Sequence, residues 1–224
     1  MKFTPNFTKT EWKRGLIALC VSMLVVPGLL SLIPGLSAAQ ANFAAYLTDA
    51  VVVLVFLRRF LGRNVAAALD HPFSTLYLAA LGYLAHLALG QLVAIAVIWL
   101  QPEFVNLNDQ TIQSQLTSEV PLMVLTTVVL APIVEECFFR GLLFRGIYDR
   151  SPAAAWTASV VLFAAVHVAG YLGSYSPLAL LVSFIQYIPP GIVLCITYRR
   201  SGNIISPIFA HAFINLAACL AVLR

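Results

Sequence analysis

Seven apolar stretches follow one another along this chain of 224 residues, at about 16–36, 43–57, 75–100, 122–143, 153–172, 178–198 and 204–223. Each is close to the roughly 20 residues a helix needs to cross a hydrocarbon core about 30 Å thick. Backbone polar groups in lipid must be satisfied internally, so the stretches are expected to be helices. The fold class is therefore all-α, a polytopic transmembrane bundle of about seven helices. The second stretch is short and carries Asp49; the third is long enough to tilt or to break, which would make eight.

Composition agrees: 61% of residues are hydrophobic and 10% charged, against about 25% charged in ordinary soluble domains. Almost nothing is left over for a soluble domain, and the chain reads as an integral membrane protein. The net charge of +4 does not indicate nucleic acid as a partner, because Lys and Arg fall in short clusters between apolar runs. Lys2, Lys9, Lys13 and Arg14 precede the first span; Arg58, Arg59 and Arg63 follow the second; Arg140, Arg145 and Arg150 follow the fourth; Arg199 and Arg200 follow the sixth. Segment 101–121 carries Glu103, Asp109 and Glu119 without a Lys or Arg. The positive-inside rule then gives a cytoplasmic N-terminus and an external C-terminus. The first stretch, followed by Ala39-Gln40-Ala41, also has the outline of a signal peptide, although its apolar run exceeds the usual 7–15 residues. The four cysteines lack CxxC spacing and read as buried free thiols.

Polar residues inside the last four spans are few: Glu135, Glu136 and Arg140, then His167, Gln186, and His211 with Asn215. Ionisable groups at membrane depth are costly and mark functional sites. Glu136 and Arg140 are four residues apart, as are Phe163 and His167, and His211 and Asn215, so each pair shares a helix face. A single midmembrane cluster is the cheapest way to bury a carboxylate, two imidazoles and an amide. Such a cluster can activate water through a carboxylate beside an imidazole and hold an oxyanion with an imidazole and an amide. Glu135, His167 and His211 are also plausible zinc ligands, although the spacing is not that of HExxH. Taken singly, these residues have plainer readings. Glu136 and Arg140 could form an intrahelical ion pair, His167 could bond a backbone carbonyl, and His211 and Asn215 could be polar glue between helices. Asp49, His71, His86 and Gln91 read as packing or interfacial residues.

Glu135-Glu136-Cys137-Phe138-Phe139-Arg140, Phe163-Ala164-Ala165-Val166-His167 and His211-Ala212-Phe213-Ile214-Asn215 resemble, in order, the EExxxR, FxxxH and HxxxN motifs of the CAAX-protease and bacteriocin-processing family (CPBP, or Abi) of intramembrane proteases. The resemblance covers about 122–223, taken as the catalytic core, and leaves the spans of 1–110 without an assigned role. It implies a helical bundle with a conical cavity open toward membrane and cytoplasm. It also implies that Glu135 and His167 activate the attacking water, that His211 and Asn215 stabilise the oxyanion, and that Glu136 with Arg140 orients the helix. Family members are described both as zinc metalloproteases and as metal-free glutamate hydrolases, so Zn2+ held by Glu135, His167 and His211 stays open. The short chain looks like a prokaryotic member in the cell (inner) membrane, cleaving a membrane-associated, lipidated (CAAX-like) or bacteriocin-like peptide. The alternative is a non-catalytic binding or immunity protein using the same cavity. A proton-coupled transporter is disfavoured, because the halves show no repeat.

Overall fold

The computed structural model describes residues 3, 4, 7–101 and 103–223; Lys2, one of the basic residues before the first span, lies outside them. Most described residues are helical, and there are no strands among them. The helices are α1 (Lys9–Leu30), α2 (Ala38–Phe56), α3 (Arg58–Asp70), α4 (Pro72–Leu100), α5 (Leu107–Ser118), α6 (Val120–Tyr148), α7 (Pro152–Ala169), α8 (Pro177–Gln186), α9 (Ile188–Ser201) and α10 (Ile205–Val222). Seven segments are long and apolar enough to cross a membrane, with α8 and α9 forming one of them and α3 and α5 none. Together these features make the chain an integral membrane protein. Large apolar side chains such as Leu24, Phe73 and Trp99 are more than 80% exposed, as a lipid-facing surface requires.

Of the two alternatives for the third stretch, a tilt or a break, the break is absent: α4 runs unbroken for 29 residues. It lies in the sixth instead, at Tyr187 between α8 and α9. Pro189 and Pro190 have no N–H to donate to the preceding turn, and two adjacent prolines favour a break there. At the first turn of α9 that deficiency costs nothing.

Caps fix several other ends. Thr8 and Glu11 form a reciprocal capping box on α1, and Ser37 and Gln40 do the same on α2. Asn106 caps α5 through the amides of Asn108 and Asp109. Pro132 interrupts α6 from within. Just before it, Leu125–Leu130 widens to i→i+5 hydrogen bonding, and Glu136–Arg145 winds in the same way. Proline clashes with the carbonyl four residues back, which favours the wider turn locally.

The core does not respect the boundary between 1–110 and 122–223. Leu19 of α1 and Val53 of α2 pack in one cluster with Val134, Phe139 and Leu142 of α6, Phe163 of α7, Leu194 of α9 and Ala210 of α10. The Trp12 indole donates to the Leu142 carbonyl at 2.8 Å. The amphipathic α3 buries Phe60, Asn64 and Ala68, spaced four apart. Asn64 accepts from the Ile204 amide at 2.9 Å, tying α3 to the start of α10. All four cysteines are free.

Candidate active site

Glu135 ends an α-helical turn of α6 and Glu136 opens its wide winding, so the two consecutive residues face different neighbours. Glu136 is fully buried. Its Oε1 accepts from Arg140 at 2.8 Å and from His211 Nδ1–H at 2.9 Å. Arg140 is equally buried, donates to the Gly191 carbonyl at 3.2 Å, and lies 4.4 Å from the Phe163 ring centre. Gly191 lets α9 approach that closely: a Cβ there would stand 3.2 Å from Val160 of α7. The Glu136–Arg140 ion pair is therefore intrahelical, as one reading of the spacing has it, and also a junction of α6, α7, α9 and α10.

Glu135 faces the cavity. Its Oε1 accepts from the Tyr46 hydroxyl at 2.7 Å, whereas its buried Oε2 has no protein hydrogen-bond partner. Around that oxygen stand His167 Nε2 at 3.8 Å and His211 Nε2 at 4.0 Å. The tautomers follow from the other ring nitrogens. His167 Nδ1 lies 2.7 Å from the Phe163 carbonyl, which can only accept, so Nδ1 carries the proton. His211 Nδ1 faces Glu136 in the same way. In the neutral imidazoles both Nε2 lone pairs then converge on Glu135 Oε2. Three acceptors with no donor among them leave a place for a group that brings protons or positive charge.

The donor types suit a zinc ion, with nitrogen and oxygen ligands and a position left open. Among the described residues, however, no three His, Cys, Asp or Glu side chains are drawn together as a ligand set. The 3.8 and 4.0 Å separations exceed the roughly 3.4 Å between neighbouring tetrahedral zinc ligands.

A cavity of about 870 Å³ opens off this oxygen, with Glu135, His167, His211 and Asn215 in its wall. Asn215 donates to the Thr127 carbonyl at 2.7 Å, which orients its amide and leaves a second N–H. Gln186 lines the cavity too, accepting from Asn106 at 2.7 Å. Of the residues read as packing groups, Asp49 and His86 also reach the cavity wall. Asp49 accepts from Ser22 of α1.

Several lining residues carry little signal in the sequence. Tyr46 belongs to the span without motifs, although Asn42, Tyr46 and Asp49 form a polar stripe at helical spacing. Tyr187, released by the break, stacks on His167 with centroids 4.1 Å apart and donates to Asp109 at 3.1 Å. Asp109 has its carboxyl pushed above the ordinary range by burial, with the Tyr187 hydroxyl and His167 acting in the opposite sense.

The cavity occupies one half of the bundle. It is walled by the ends of α1, α7 and α10, the starts of α2 and α6, the later part of α4, and α5. Lys9, Arg14, Arg58, Arg63, Arg145, Arg150 and Arg199 cluster at the opposite end, where α1 and α7 begin and α2, α6 and α9 end. The orientation expected from charge distribution would put the cavity half outside, whereas the family resemblance implied an opening toward the cytoplasm. The two expectations point to opposite sides of the membrane.

Residues 117–217 match the family model described as type II CAAX prenyl endopeptidase Rce1-like. That interval contains Glu135, Glu136, Arg140, His167, His211 and Asn215. The matched segment covers just under half of the chain and supports the resemblance to CPBP-family intramembrane proteases. A Bacillus subtilis (strain 168) protein named "Putative membrane peptidase YdiL" is 32% identical over 97 residues. That similarity covers 43% of this chain and 35% of the relative, so the chain spans only about a third of that protein's length. No solved structure matches the chain. Tyr46 and Asp109 lie outside the matched segment, so part of the cavity wall comes from residues the family model does not cover.

Proposed function

We propose that the chain is an intramembrane endopeptidase that hydrolyses a peptide bond with water activated at Glu135. The observation that carries this reading is the unpartnered, buried Oε2 of Glu135 between two imidazole nitrogens. The family model and the relative's name, both of them peptidases, support it.

Water bridging Oε2 and an Nε2 atom gives up one proton to Glu135 as its oxygen bonds the substrate carbonyl carbon. Tyr46 keeps Glu135 in one orientation, and the Phe163 carbonyl keeps His167 in one tautomer. Charge on the former carbonyl oxygen is met by the free N–H of Asn215. His211 also meets it when doubly protonated, donating through Nε2 while Glu136 holds Nδ1. Collapse breaks the C–N bond, and the proton on Glu135 passes to the leaving amine. Glu136 and Arg140 position His211 and α6. A zinc ion, when bound, would be held by Glu135, His167 and His211 and would supply Lewis-acid polarisation.

The substrate is a membrane-associated or lipidated peptide. The chain sits in a prokaryotic inner membrane with its basic end in the cytoplasm. The test is quantitative mapping of peptide termini in membranes from cells making wild-type protein or Glu135→Gln at matched, folded levels. New termini that appear only with wild type are expected. Identical termini would sink the hydrolytic mechanism and favour a binding or immunity role.

A further inference from the structure

His167 is held by less than its place beside Glu135 requires. Its Nδ1–H donates to the Phe163 carbonyl at 2.7 Å, a single bond about which the ring can still swing, because the second torsion of a histidine side chain is soft. Nε2 stands 3.8 Å from Glu135 Oε2, beyond hydrogen-bond reach, so the carboxylate does not hold the ring either. A swing would turn the Nε2 lone pair away from the place where water is activated.

Tyr187 supplies the missing restraint. Its ring lies face to face with the imidazole, centroids 4.1 Å apart and planes 22° from parallel, whereas Phe163 meets the imidazole at a 48° tilt. Tyr187 is itself fixed at both ends. Its backbone sits in the break, with its N–H donating to Phe184 at 3.1 Å and its carbonyl accepting from Gly191 at 3.2 Å. Its hydroxyl accepts from the Asn108 amide at 2.9 Å and donates to Asp109 at 3.1 Å, both on α5. That helix is tied in turn to its surroundings. Asn106, its cap, donates to Gln186 at 2.7 Å, Thr111 accepts from Tyr171 at 2.8 Å, and Glu119 accepts from Ser37 at the start of α2.

From this arrangement, and resting on the hydrolytic reading above, we infer that Tyr187 is a positioning residue for His167, and that α5 acts on the reaction through it. All but the end of α5 lies outside the matched segment. Tyr46 thus holds the carboxylate and Tyr187 the imidazole. Lost orientation weakens the transition state more than substrate binding, so the effect belongs in kcat rather than KM.

The test uses the full chain in nanodiscs and a fluorogenic peptide spanning the cleavage site found by terminus mapping. Tyr187→Leu is expected to lower kcat at least ten-fold with KM within two-fold, and Tyr187→Phe, which keeps the stack, to lower it only several-fold. Asp109→Ala should match Tyr187→Phe, and the two together should fall no lower than either, since both break one link. Unchanged kcat, or a loss confined to KM, would overturn the inference; additive losses would overturn the role of α5. Should Tyr187→Leu not fold, Tyr187→Phe decides by the same kcat criterion. The nitrogen shifts of 15N-labelled His167, assigned with His167→Gln, separate this inference from the hydrolytic reading. If wild type cuts nothing, hydrolysis falls, and the positioning stands when Tyr187→Leu turns the single Nδ1–H tautomer into a mixture. An unmoved tautomer overturns the positioning whatever happens to hydrolysis.

Discussion

Glu135 and Glu136 are neighbours in sequence and opposites in circumstance. Glu136 receives Arg140 and His211 on one oxygen in a fully buried node, while Glu135 receives Tyr46 on one oxygen and lies in the cavity wall; the second oxygen of each has no protein partner. The sequence identifies both as costly groups that need a purpose, and helical spacing pairs Glu136 with Arg140. It does not assign Tyr46, because tyrosine is common in membrane helices as an amphipathic anchor and nothing local ties residue 46 to residue 135. Removing a hydrogen bond to a charged group costs about 1.5–3 kcal/mol. Tyr46→Phe is therefore expected to lower kcat/KM by roughly 10- to 100-fold while thermal unfolding in detergent changes little. Unchanged turnover would show that Glu135 needs no such support.

At the scale of helices, Arg140 is the point where four of them meet. Replacing it leaves Glu136 buried and uncompensated, and breaking a buried pair in this way costs about 3–5 kcal/mol. Arg140→Met should destabilise the bundle by that order in a denaturant titration. Glu136→Gln combined with Arg140→Met should recover much of the loss without restoring activity, because His211 then lacks its carboxylate. A double variant as unstable as the single one would place the cost in lost packing over Phe163 instead. The spans were legible from apolar length, and all seven fall near their expected positions. The site of the break was not: length points to the third stretch, whereas the chemistry of Pro189 and Pro190 decides for the sixth. Neither α3 nor α5 is legible from hydropathy, since each is short and polar, yet α5 supplies Asn106, Asn108 and Asp109 to the cavity.

For the whole molecule, the three motifs on α6, α7 and α10 foretold one cluster, and Glu135, His167 and His211 stand together, with Asn215 on the same cavity. The contribution of the N-terminal helices was not foretold, because contacts 89 residues apart leave no periodic trace. Sidedness can be checked directly. In intact cells, a membrane-impermeant maleimide should label Gln113→Cys on α5 and spare Arg200→Cys in the last turn of α9, as the proposed orientation with the basic end in the cytoplasm requires. The reverse pattern would restore a cytoplasm-facing cavity.

The hydrogen bond between Tyr46 and Glu135 also bears on how the protein is made. Chains are synthesised and folded from the N-terminus, so the α1–α2 pair is in the membrane while α6 is still on the ribosome. Its phenol is waiting when the carboxylate arrives. A carboxyl group that is costly to bury therefore enters the membrane after the helix that carries its hydrogen-bond partner.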